Sequence, residues 1–174
     1  SVFIAVDDNY YDYIEKFKGD YPKLTFIQIK DDRHIRANFR DVEHPYTQLS
    51  NWHKALYYFS VENLKHDNVW FIEDDVFFYN ENTIRMIDYQ YADSDYLSNV
   101  VTEYDSVTES ELWLNTTVQY DLPWYCANVS AVRLSRTLLQ KICEYAQKHG
   151  TLFVIDAMLP TIAHKNGLRC DCPK

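Results

Sequence analysis

The chain has 174 residues, 26 acidic and 17 basic, with a formal net charge of −9 and a pI near 5.0. That length suits one domain, 1–174, able to bury its own core, and a hydrophobic content of 47% excludes a disordered chain. The acidic balance excludes a protein that coats nucleic acid, which needs a basic footprint. No apolar run approaches the roughly 20 residues needed to span a bilayer.

Val2-Phe3-Ile4-Ala5-Val6 reads as a buried strand. No signal-peptide pattern is expected at its start. Cytoplasmic residence is therefore expected, with the secretory-pathway lumen the alternative if an anchor has been removed. Asp7, Asp8 and Asn9 offer turn and cap chemistry. Tyr10, Tyr13, Ile14 and Phe17 recur at helical spacing, and Gly19 marks the exit. A second strand is expected over 24–29, followed by a polar stretch over 30–46 that carries Arg33, Arg36 and Arg40.

A helix is expected over 48–60, with Leu49, Trp52, Leu56 and Phe59 as its apolar stripe and Asn51, Lys54 and Tyr58 on another face. Val69-Trp70-Phe71-Ile72 then forms a strongly apolar strand that runs into Glu73-Asp74-Asp75. A short helix over 83–91, a strand over 96–101 and an irregular polar segment over 102–123 containing Trp113 follow. The apolar run 124–132 reads as a strand. Ser135 caps a helix with Leu138, Leu139, Ile142, Tyr145 and Ala146 on one face, and Gly150 ends it. A short strand over 152–155 leads to a last helix that Asp156 opens and Gly167 closes. This alternation implies an α/β fold with a mostly parallel central sheet flanked by helices. Such a sheet takes ligands beyond the carboxyl ends of its strands, where Asp7 and Asp8, residues 30–33, and residues 73–75 would converge.

Three glycines leave no room for GxGxxG or GxxxxGK[ST] phosphate cradles. A nucleotide would have to be held by a metal, side chains or ordinary amides. Cys126, Cys143, Cys170 and Cys172 match neither C-x-x-C nor a zinc pattern. Free thiols are expected, with a disulfide through Cys170 or Cys172 as the alternative. Of two sequons, at 115–117 and 128–130, the second lies in an apolar stretch and is not expected to carry a glycan.

Three consecutive carboxylates between two apolar runs repel one another, and a divalent cation would relieve that cost. If the segment is extended, Glu73 and Asp75 project together and Asp74 points elsewhere. Such oxygen ligands suit Mn²⁺ or Mg²⁺. A solvated acidic turn is the competing reading.

This arrangement resembles the GT-A-fold glycosyltransferases, in which an apolar strand ends in a D-x-D-type motif, here Glu73-Asp74-Asp75. The strand–helix unit from Tyr125 to Ser135 resembles the family's acceptor-side segment, and Phe153-Val154-Ile155-Asp156 its later acidic motif. The resemblance implies a single GT-A-like domain that moves a sugar from a nucleotide-sugar donor, UDP-linked for preference, to a hydroxyl of a glycan or other acceptor. It implies Asp75 as direct metal ligand, Glu73 as metal or ribose contact, and Asp74 as a nucleotide or donor-sugar contact. Asp7 or Asp8 and Asp31 or Asp32 would lie near base and ribose, with ordinary turn chemistry as the alternative. Asn51 and Lys54 would reach the donor, and one of Arg33, Arg36 and Arg40 the diphosphate. Asp156 would be the general base, unless it serves as helix cap. Trp113, Trp124 and Tyr125 would stack on the acceptor, against core packing for Trp124. His164 is a minor candidate for a late metal ligand. A non-catalytic carbohydrate-binding module of the same fold and a metal-dependent phosphotransferase are the other readings.

Overall fold

The computed structural model describes residues 1–8, 10–17, 19–40, 51–105 and 119–173. Trp113 therefore lies outside the described residues, as do Leu49 and the sequon at 115–117. Eight strands and six helices follow one another as a mixed α/β chain: β1 Val2–Val6, α1 Tyr13–Phe17, β2 Leu24–Gln28, α2 Arg33–Arg36, α3 Asn51–Tyr57, β3 Asn68–Ile72, α4 Glu81–Gln90, β4 Tyr96–Leu97, β5 Val101–Tyr104, β6 Trp124–Ala127, β7 Ala131–Ser135, α5 Arg136–His149, α6 Ile155–Lys165 and β8 Cys170–Asp171. A π-helical turn, Tyr58–Glu62, continues α3. No helix among the described residues is long and apolar enough to cross a membrane.

Among the described residues the hydrogen-bonded ladders fall into three sheets, where the sequence leads one to expect a single, mostly parallel one. β1 and β2 pair in parallel, with Val2 opposite Leu24. β3, β7, β4 and β8 form a four-stranded sheet in that order. β7 runs antiparallel to both β3 and β4, and β8 is parallel to β4. β5 and β6 make a separate antiparallel pair. The apolar run 124–132 is thus two strands serving two sheets, broken at 128–130. The stretch 152–155 is not a strand: Leu152 makes an isolated bond to the Arg40 carbonyl at 2.7 Å, and α6 already begins at Ile155.

α5 follows from local chemistry. The Ser135 hydroxyl accepts from the Leu138 N–H at 3.1 Å, and Gly150 ends the helix at φ +76°, a left-handed conformation that costs glycine little. Its stripe of Leu138, Leu139, Ile142, Tyr145 and Ala146 is buried, as the spacing requires. These side chains meet Val132 and Leu134 of β7, Leu56 and Phe59 of the α3 segment, and Met158, Leu159 and Ile162 of α6 in one core. Arg136, the first residue of α5, turns its guanidinium onto the carbonyls of Phe59, Asn63 and His66. It thereby satisfies acceptors that the π-helical turn leaves open.

α4 buries none of its residues. Asn80 caps it by accepting from the Asn82 and Thr83 N–H groups. Polar contacts fasten it to the sheet. Arg133 of β7, 1% exposed, lies opposite Trp70 of β3. Both donate to Asp88 Oδ1, Arg133 at 2.8 Å and Trp70 Nε1 at 3.0 Å. The second terminal nitrogen of Arg133 reaches the carbonyls of Tyr91 and Ser94. Removing a buried guanidinium leaves its acceptors unpaired and a void behind. Asp88 is half-exposed and can rehydrate, which moderates the loss. We expect Arg133→Ala to lower unfolding stability by about 3 kcal/mol, or roughly 10 °C in Tm. Arg133→Met, which keeps the packing of the stem, should lose less. Urea and thermal denaturation followed by circular dichroism check both.

Candidate functional site

β3 ends at Ile72, and the ladder to β7 extends one bond further: the Glu73 N–H donates to the Ser130 carbonyl at 2.9 Å. The chain then turns, with the Val76 N–H reaching back to the Glu73 carbonyl at 3.2 Å. The acidic triplet is therefore a turn rather than an extended segment, and the alternation expected for Glu73 and Asp75 does not apply. Glu73 is half-buried, whereas Asp74 and Asp75 are exposed. Among the described residues, no hydrogen bond or ion pair engages either aspartate.

Glu73 faces a cleft of about 260 Å³ whose walls include Trp52, Asn128, Ser130 and Asp156. The Trp52 indole N–H donates to Glu73 Oε1 at 3.3 Å, and its ring stacks on Phe71 at 5.6 Å and 15°. Across the cleft, Asp156 sits in the first turn of α6. It is not the N-cap: that position belongs to Val154, which has no side chain able to cap. The helix dipole favours a carboxylate there, but burial dominates and pushes the Asp156 carboxyl above its ordinary value. The N–H groups of Val129 and of Asp156 itself pull it part of the way back, and the charge of Glu73 adds to the rise. Pro160, one turn on, has no N–H to give to the Asp156 carbonyl.

Lys54 corrects a sequence expectation. Helical spacing places it on a non-core face, yet it is 3% exposed. Its ammonium meets the Asp7 carboxylate at 3.0 Å and the Asp7 carbonyl at 2.9 Å, pinning the end of β1 to α3. Asn51 is exposed. Beside this pair lies His34, 2% exposed, with neither ring nitrogen hydrogen-bonded among the described residues. Burial and the Lys54 charge hold His34 below the ordinary imidazole value, so it stays neutral.

The remaining candidates are distributed as follows. Asp8 accepts from the Tyr13 hydroxyl at 2.9 Å and the Tyr10 N–H at 2.7 Å. Asp31 accepts from the Arg33 N–H at 3.0 Å and pairs with its guanidinium, which also reaches Glu62 at 3.2 Å. Asp32 pairs with Arg36. Trp124 donates to the Tyr120 carbonyl at 2.7 Å. Tyr125 stacks on His164 at 3.9 Å and 9°, and its backbone exchanges bonds with the Thr161 hydroxyl. Neither Trp124 nor Tyr125 is among the cleft-lining residues. All four cysteines are free. Among the described residues, no three His, Cys, Asp or Glu side chains form a group able to hold a metal by themselves.

The structure thus puts Glu73 and Asp156 in one cleft, pairs Lys54 with Asp7 and Asp31 with Arg33, and leaves Asp74 and Asp75 exposed and outside the cleft lining. Sequence reasoning missed the cleft roles of Trp52, which it assigned only to a core stripe, and of Asn128 and Ser130. Ser130 N–H and Oγ–H both donate to Asn128 Oδ1, at 2.9 and 2.7 Å. An Asn two residues before a Ser is a turn signal, and it would have broken the 124–132 strand.

A carboxyl held above its ordinary value near 3.8 prefers its proton in the folded state. Its contribution to stability is complete at acid pH and is lost as pH rises through the raised value, so at neutral pH the Asp156 charge weighs against the fold. Asp156→Asn should therefore melt above the wild type at pH 7, and the gap should close as pH falls toward 4. Thermal melts across that pH range measure it.

No protein-family model matches the chain, and comparison with curated proteins finds no match.

Proposed function

We propose that the protein is a glycosyltransferase with a GT-A-like domain, moving a sugar from a nucleotide-sugar donor, UDP-linked for preference, to a hydroxyl of a glycan or other acceptor. The observation that carries this reading is the cleft at the end of β3, where Glu73 and a desolvated Asp156 share one small space. At about 260 Å³ it falls below the roughly 300–1,000 Å³ of pockets that enclose a whole drug-sized ligand. It suits a single sugar ring and an incoming hydroxyl, with the nucleotide outside.

Asp156 takes the proton from the acceptor hydroxyl. Burial raises its proton affinity above that of an ordinary aspartate, which makes it the stronger base. Glu73, oriented by the Trp52 N–H, is the second carboxylate of the cleft. Asp75, exposed and without a protein partner among the described residues, is available to bind Mn²⁺ or Mg²⁺ with Glu73. Such ions bound to nucleotides use one or two carboxylates and complete their shell with phosphate oxygens and water, which fits the lack of a three-residue protein cage. When bound, the ion supplies charge stabilisation to the leaving diphosphate.

Asp75→Ala should weaken UDP binding in Mn²⁺ at least about tenfold while shifting stability by less than about 0.5 kcal/mol, as for a surface side chain. Calorimetry with and without Mn²⁺ reads the first effect, and unchanged UDP affinity in the variant would remove the metal role. Asp156→Asn should cut turnover by about 10²-fold or more with UDP affinity within about twofold. Glycan binding that needs neither metal nor nucleotide would point instead to a non-catalytic module.

A further inference from the structure

We propose that Asn128 is a positioning residue that holds Glu73 and Asp156 in register across the cleft through the turn it closes. The proposal rests on the reading of that cleft as the reacting site. Residues 128–130 are where the chain leaves the β5–β6 ladder and enters the β3–β7–β4 ladder. The crossing keeps one ladder bond, at the Ser130 carbonyl, and side chains help fix the rest of its backbone. Asn128 supplies the fixing: its Oδ1 accepts from both the N–H and the Oγ–H of Ser130, at 2.9 and 2.7 Å. The next residue, Val129, is 5% exposed and anchors the turn in the core.

With the turn held at these points, its backbone borders both acids. The Ser130 carbonyl accepts from the Glu73 N–H at 2.9 Å. Val129 lines the cleft together with Asp156. Asn128, Val129 and Ser130 all line the same cleft as the two acids. Glu73 and Asp156 belong to different elements, 83 positions apart in the chain by their numbers, and this turn bonds the first and shares the cleft lining with the second. Asn128 itself is exposed, so replacing it removes the clamp without opening the core.

The test compares Asn128→Ala with Asn128→Ser, whose hydroxyl makes the same turn more weakly. Amide hydrogen exchange reads the clamp without substrate. Exchange at Val129 and Glu73 should accelerate about tenfold or more in the Ala variant, with the Ser variant between it and wild type. With donor and acceptor, kcat should fall about tenfold in the Ala variant, donor KM should stay within about twofold, and the Ser variant should recover part of the loss. A general loss of structure would move KM and would not be rescued in this order. Unchanged exchange at both amides in a folded Ala variant overturns the proposal, whatever the activity. So does faster exchange with full kcat. If Asn128→Ala does not fold, Asn128→Ser and Ser130→Ala carry the same comparison. A wild type inert toward every donor removes the transferase reading alone, and the exchange result still decides the clamp.

Discussion

When β3 lies antiparallel to β7 with Ile72 opposite Ala131, the next pair along the ladder is Glu73 and Ser130. That register places the first acid of the triplet beside the turn that Asn128 closes, and so beside Asp156. It also sets Trp70 opposite Arg133, from which both side chains reach Asp88 and fasten α4. A slip of one residue would send each of these side chains to the opposite face of the sheet. The position of the cleft and the attachment of a helix with no buried residue thus depend on the same few backbone bonds.

The acids of the chain have different duties. Asp7, Asp31, Asp32 and Asp88 are taken up by lysine or arginine partners and act as joints. Asp156 is desolvated, and among the described residues no lysine or arginine pairs with it; backbone N–H groups lower its proton affinity and the Glu73 carboxylate raises it. Structural acids are matched with cations, whereas this one is kept from them. That is the pattern expected where a group's proton affinity is put to use rather than neutralised.

Short-range chemistry was readable from the sequence. The Ser135 cap, the Gly150 stop and the five buried positions of α5 all follow from neighbours within a turn or two; β1 forms where the apolar run places it, but Val2 and Ile4 are exposed rather than buried as that run leads one to expect. Lys54 was misplaced because its partner, Asp7, is 47 positions away, and helical spacing carries no information about it. The break at 128–130 was hidden because Val129 keeps the run apolar while the Asn128 side chain does the turning. The run at 152–155 shows the usual ambiguity of four apolar residues, which suit a strand or the entry to a buried helix equally well. In the site, the two acids that meet in the cleft were singled out from their motifs. Trp52 was not, because its stripe position explains its ring but not its N–H.

Ser135 ends β7 opposite Asn68, caps α5 through its hydroxyl, and binds Asp95 through both its N–H and its hydroxyl. No linker separates strand from helix at that point. α5 and the four-stranded sheet are consequently joined at a single residue that serves strand, helix cap and the Asp95 contact at once. The entrance to α6 has no comparable side-chain weld at Val154. The Asp156 wall of the cleft is therefore tied to the molecule by the buried side chains of α6, Ala157 through Ala163, and not by a cap at its first turn.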